Sequence, residues 1–238
     1  VRLLVLINPN NPTGNVATSN EIDSLVQIAS EWPKCAIIAD EIYDGLDFTE
    51  QFVSVASRSK DVPVISLNGV SKVFFAPGWR VGYMAWHDPQ GSLALVRDGA
   101  ERMLRSRLCA STPAQHGFLA GLVDGTAWLE GHREVIKQRL DYSLSRIQAI
   151  DGLDCQKPGG AFYLFVKITD DHLASDDKKF VLDILHEKHV LLVHGSGFSP
   201  DFGQGHFRMV CLSDLDELAT AFDRIDSFIR ERRESTPK

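Results

Sequence analysis

Four polar side chains stand just beyond the carboxyl ends of apolar runs, the position at which α/β proteins place their ligands. Asn11 follows Leu3-Leu4-Val5-Leu6-Ile7, and Asp40 closes the run Cys35-Ala36-Ile37-Ile38-Ala39. Tyr43 lies in the same loop as Asp40, and Lys72 comes shortly after Val64-Ile65-Ser66-Leu67. A carboxylate at the end of a fully apolar strand is costly to desolvate unless something cationic meets it. Loops place polar residues at strand ends in many proteins, so the surrounding elements decide what these four can do.

Those elements alternate. An apolar strand is expected over 2–7, followed by Asn-Pro-Thr-Gly punctuation and a helix opened by the capping box Thr18-Ser19-Asn20-Glu21. Ile22, Leu25, Val26 and Ala29 form its apolar face, and Pro33 closes it. Further strands are expected over 35–39, 64–67 and 81–85. Continuous apolar strands separated by helices predict an α/β fold whose mostly parallel sheet is covered on both faces. From Asp88 the pattern turns helical, with an amphipathic stretch through Leu93, Leu95, Val96, Met103 and Leu104 and another from Pro113 to Val123. Shorter strands at 161–166, 190–193 and 207–210, interleaved with helices near 177–188 and 214–231, give a βαβ-like tail. The pattern divides the chain into residues 1–135 and a smaller α+β domain of residues 136–238. A long helix around 127–150 is the expected hinge.

Composition narrows the function classes. With 238 residues and 44% hydrophobic content, the chain can bury a substantial core. The formal charge of -7 argues against a surface built for nucleic acid or anionic lipid. The first apolar run is too short to span a bilayer and carries no signal-peptide pattern, so no membrane association is expected. Four widely spaced cysteines without a CxxC indicate neither a zinc cluster nor a disulfide framework, and point to the reducing cytoplasm. The chain opens on Val1 and runs straight into a strand, which suggests part of a longer protein.

The wording around the four polar residues adds a resemblance. In order, Asn8-Pro9-Asn10-Asn11-Pro12-Thr13-Gly14, Ala39-Asp40-Glu41-Ile42-Tyr43, Ser71-Lys72 and Pro77-Gly78-Trp79-Arg80-Val81-Gly82-Tyr83 resemble the fold-type I, class I and II aminotransferases that use pyridoxal 5′-phosphate. Arg208 in Phe207-Arg208-Met209-Val210 completes the set. Met103-Leu104-Arg105-Ser106-Arg107-Leu108-Cys109-Ala110, Pro113-Ala114-Gln115-His116, Pro158-Gly159-Gly160-Ala161-Phe162-Tyr163 and Val190-Leu191-Leu192-Val193-His194-Gly195 look like the alanine (glutamate–pyruvate) transaminase branch. The resemblance implies that residues 1–135 are the C-terminal part of the cofactor-binding large domain and 136–238 the small C-terminal domain.

It also implies roles. Lys72 would condense with the cofactor aldehyde and then move a proton. Asp40 would hold the pyridine nitrogen protonated, and Tyr43 and Asn11 would hydrogen-bond the phenolic oxygen. Arg80 would grip the phosphate, and Arg208, with Asn11, the substrate α-carboxylate. One position departs from many relatives: Gly69 stands where a hydroxyl residue touches the phosphate. The implied activity is amino transfer between an α-amino acid and a 2-oxo acid, with alanine, glutamate, pyruvate and 2-oxoglutarate as substrates, in a homodimer. Relatives carry an upstream glycine/hydroxyl loop and a stacking aromatic ring that this chain does not, so the piece alone is expected to be a weak catalyst. Other pyridoxal phosphate chemistry such as β-elimination, or a non-catalytic dimerisation or regulatory module, remain alternatives. No metal site is expected: there is no HExxH, and His186 and His189 read as a solvated pair. Gly195-Ser196-Gly197 falls short of a dinucleotide fingerprint.

Overall fold

The computed structural model describes residues 1–234. They fold into two compact units, the first made of residues 1–10 and 15–132, the second of residues 11–14 and 133–234.

The first unit holds β1 (Leu3–Ile7), α1 (Ser19–Ser30), β2 (Ala36–Asp40), α2 (Val55–Arg58), β3 (Val64–Gly69), β4 (Gly82–His87), α3 (Ala94–Arg105) and α4 (Thr112–Asp124). Its sheet has the order β1-β2-β3-β4, parallel except for the antiparallel β4. The register sets Ile7 beside Asp40 and Asp40 beside Leu67, so the loops after these strands leave one end of the sheet. The capping box forms as the sequence predicts: Thr18 accepts from Glu21 N, and Glu21 takes the Thr18 backbone N–H at 2.7 Å. Alternation along the strands sends Ile37, Ala39 and Val64 into one core with Ile22 and Ala29 of α1 and Val55 of α2.

The opposite face corrects the expectation of a sheet covered on both sides. Leu3 and Val5 are 48% and 61% exposed, and Met84 also stands open. The α3 stretch is helical, but none of its residues is buried, and Leu95 is 87% exposed. Periodicity specifies which stripe is apolar; it does not supply the surface that stripe would cover.

The second unit holds most of α5 (Thr126–Ala149), then β5 (Leu153–Asp154), β6 (Tyr163–Ile168), α6 (Asp171–Ala174), α7 (Asp177–Lys188), β7 (Val193–His194), β8 (His206–Val210) and α8 (Leu215–Glu234). Its sheet runs β5-β6-β8-β7 with every neighbouring pair antiparallel, so the tail is α+β but not βαβ. The strand expected over 190–193 is reduced to Val193–His194, because Leu191 stands 76% exposed outside the ladder. Phe207, Phe222, Phe228, Ile184, Ile225 and Leu164 are fully buried in this unit's core. No helix among the described residues is long and apolar enough to cross a membrane.

Candidate active site

In the first unit the predicted residues gather at the carboxyl end of the sheet. Asp40 ends β2 on the face away from α1, since its neighbour Ala39 joins the α1 core. Its Oδ1 accepts the Ile42 N–H at 3.3 Å. Tyr43 is only 3% exposed and leads into a 3-10 turn over Asp44–Leu46. Lys72 follows β3 half-buried, with Nζ 5.9 Å from the centre of the Tyr43 ring, within cation–π range.

The two loops are stitched by bonds that the motifs did not reveal. Glu41 N donates to Leu67 O at 2.9 Å. Asn68 Nδ2 donates to Glu41 O at 3.1 Å and to Asp44 Oδ2 at 2.8 Å. Glu41, buried, accepts from Val55 N and Ser54 Oγ at the start of α2, so it anchors the Tyr43 loop from behind. Burial raises the Glu41 and Asp44 carboxyls above the usual carboxylate range, against the lowering effect of those donors. The same cause, followed by the nearby Asp44 and Glu41 charges, raises the Tyr83 phenol.

Arg80 stands apart, exposed and in the left-handed region at φ 55°, with Nη1 donating to Pro77 O at 2.7 Å. Gly69 has a steric reason. It pairs with Gly82 on β4, and a Cβ would stand 2.7 Å from Val81 O and 2.9 Å from Gly82 Cα, so a hydroxyl residue has no room here.

In the second unit Asn11 and Arg208 meet. Arg208 lies on β8 between Phe165 of β6 and Val193 of β7. Its guanidinium sits 4.7 Å from the Tyr163 ring centre and 4.9 Å from that of Phe198, and Nη1 donates to Asn11 Oδ1 at 2.8 Å. Arg208 Nε is buried without a hydrogen-bond partner among the described residues. A half-buried guanidinium suits a carboxylate ligand. Three residues beyond Asn11, the Gly14 carbonyl accepts from the Gly159 and Gly160 N–H groups at 2.9 and 2.8 Å. Tyr163 and Phe198 as walls of the arginine were missed; the aromatic residues flanking each glycine turn were the available signal. Among the described residues no cluster of His, Cys, Asp and Glu could hold a metal ion.

The chain is 34% identical over 241 residues to the glutamate-pyruvate aminotransferase of Haemophilus influenzae, covering 98% of this chain and 58% of that protein. It is 30% identical to the alanine aminotransferase of Mycobacterium tuberculosis, covering 98% of this chain and 55% of that one. The solved structure of alanine aminotransferase from Pyrococcus furiosus matches with a TM-score of 0.91 at 44% identity, over 98% of this chain and 58% of that one. The chain thus spans little more than half the length of the relatives it matches. The family described as aminotransferase class I and II matches residues 1–225, nearly the whole length, and this chain belongs to that family.

Proposed function

We propose that the protein to which this chain belongs transfers an amino group between an α-amino acid and a 2-oxo acid, using pyridoxal 5′-phosphate. The observation that carries the reading is the placement of Lys72 beside Tyr43, next to the strand end that bears Asp40. The first unit's donors fit the cofactor: an amine for its aldehyde, an acid for its ring nitrogen, a phenol for its phenolic oxygen, and a guanidinium for its phosphate. When bound, pyridoxal phosphate supplies an electron-poor ring that stabilises negative charge at the amino acid's α-carbon.

The chain's own residues do the rest. Lys72 would hold the cofactor through its aldehyde, and its amine would serve to move a proton at the substrate α-carbon. Asp40 is held by the Ile42 N–H as an acceptor for a ring N–H. Tyr43, packed in the core with little freedom to turn, offers its phenol in a fixed direction. Arg80 neutralises phosphate charge. Arg208, clamped by Asn11, Tyr163 and Phe198, would take the substrate carboxylate through its guanidinium. In this reading the first unit belongs to a cofactor-binding large domain and the second is the small domain.

The relatives named for alanine and for glutamate and pyruvate support alanine, glutamate, pyruvate and 2-oxoglutarate as substrates. The exposed apolar residues Leu95, Met103 and Leu104 of α3 support a homodimer in which a second copy covers them. Four free cysteines support a cytoplasmic setting. The test is product analysis with alanine plus 2-oxoglutarate. Glutamate and pyruvate in equal amounts are expected, lost in Lys72→Ala, with KM for both acids raised in Arg208→Gln. Ammonia released from cystathionine, without glutamate formation from alanine, would replace transfer with β-elimination.

A further inference from the structure

The loop from Lys72 to Arg80 bends through two non-glycine residues in the left-handed region, Phe75 at φ 51° and Arg80 at φ 55°. Side chains rarely adopt that conformation, so surrounding contacts must hold each corner. Backbone bonds supply part of the hold: Val70 N to Val81 O and Ala76 N to Val70 O, both 3.2 Å, close the base, and Phe75 N to Lys72 O at 3.3 Å and Trp79 N to Ala76 O at 3.1 Å lie within the loop.

The contacts come from the rings that precede each corner. Phe74 and Trp79 lie against α4 at Gly121 and Gly117, which share a helix face. A Cβ at Gly117 would stand 2.5 Å from Trp79 Cζ3, and one at Gly121 would stand 2.9 Å from Phe74 Cε1. Each ring therefore occupies the space that any larger residue on α4 would need. Phe74 is braced further, stacked on Trp128 at 6.2 Å and edge-on to Phe118 at 5.8 Å. Trp79 is half exposed, and the glycine contact is made by one edge of its ring.

We propose that Phe74 and Trp79, seated on Gly121 and Gly117, are positioning residues that hold Lys72 and Arg80 in one frame. The proposal rests on the cofactor-binding reading above and deepens it: one helix face fixes both the amine and the phosphate-binding cation.

The test uses the full chain in two arms. Without cofactor, amide hydrogen exchange is followed over 72–80, with α8 as internal reference. Trp79→Leu removes the ring, and Gly117→Ala displaces it. Both are expected to speed exchange over 72–80 about tenfold while α8 is unchanged. The double variant is expected to match Trp79→Leu alone, since the added methyl then meets no ring. Unchanged exchange in Trp79→Leu, or additive effects in the double variant, overturns the proposal, whether or not Gly117→Ala folds.

With cofactor, borohydride trapping at Lys72 compares pyridoxal 5′-phosphate with pyridoxal. Trp79→Leu is expected to lower the phosphate preference about tenfold and to retain pyridoxal trapping, which a merely structural role would not produce. An unaltered preference overturns the proposal. If the wild-type chain traps neither compound, the cofactor reading fails, while the exchange arm still decides whether the rings hold the loop.

Discussion

The two units of this molecule solve the problem of burying apolar surface differently. In the second, α7 and α8 pack against an antiparallel sheet, and large side chains such as Phe180, Phe207, Phe222 and Phe228 interlock, two of their pairs at ring distances of 5.7 and 5.6 Å. Some of its ion pairs join separate elements, as Lys188 with Glu231 and Arg232 with Glu187 do between α7 and α8, while Lys179 with Asp183 and Arg230 with Asp226 stay within one helix. In the first unit the core beneath β1–β3 is built from smaller residues, and α3 keeps its pairs to itself: Arg97 with Glu101 and Arg102 with Asp98, one turn apart. Such exposed pairs contribute about 0.3–0.5 kcal/mol each. The second unit also leaves Leu191 and Phe202 exposed, but the first keeps more apolar surface open and carries Lys72, Asp40, Tyr43 and Arg80.

That contrast can be broken. The largest expected effect is in amide exchange: β6, β8 and α8 should exchange more than about a hundredfold slower than β1, β4 and α3. Equal protection would mean that the first unit's open face costs it nothing. Next, Phe222→Ala is expected to destabilise the second unit by about 3–5 kcal/mol, and Leu104→Ala on α3 to change stability by no more than about 0.5 kcal/mol, both read from urea unfolding.

Two thiols sharpen the comparison through pH. Burial pushes Cys155 up to about 11 and Cys211 up to about 12. Because these folded-state values lie above the unfolded one, the folded unit holds its thiol protons more tightly. The associated stability is complete below about pH 9 and is lost as pH rises toward the folded values. For Cys155 the loss is on the order of 2 kcal/mol. A Cys155→Ala/Cys211→Ala chain should be weaker at neutral pH but flatter above pH 9, measured by thermal unfolding of the second unit. A further effect is local: Thr18→Ala should cost the first unit about 1 kcal/mol by removing the α1 cap.

What could be read from the residues depended on how local the cause was. Thr18 and Glu21 satisfy each other within one turn, so the start of α1 was legible, and strand ends such as Asp40 followed from apolar runs meeting a charge. The exposure of α3 was not legible, because an amphipathic pattern is the same whether or not its partner surface is present. The anchoring role of Glu41 was not legible either, because its buried bonds to Ser54 and Val55 join residues distant in sequence. The short β7 escaped for a similar reason. Val190-Leu191-Leu192 is apolar enough for a strand, and only the ladder partner, present at Val193 and His194 alone, decides its length.

The account turns on one amine. Borohydride reduction of the chain in the presence of pyridoxal 5′-phosphate, followed by peptide mass spectrometry, should place a single dominant label on Lys72, with the label absent in Lys72→Ala. Labelling spread over surface lysines at the level seen in unfolded chain, with Lys72 not preferred, would contradict it.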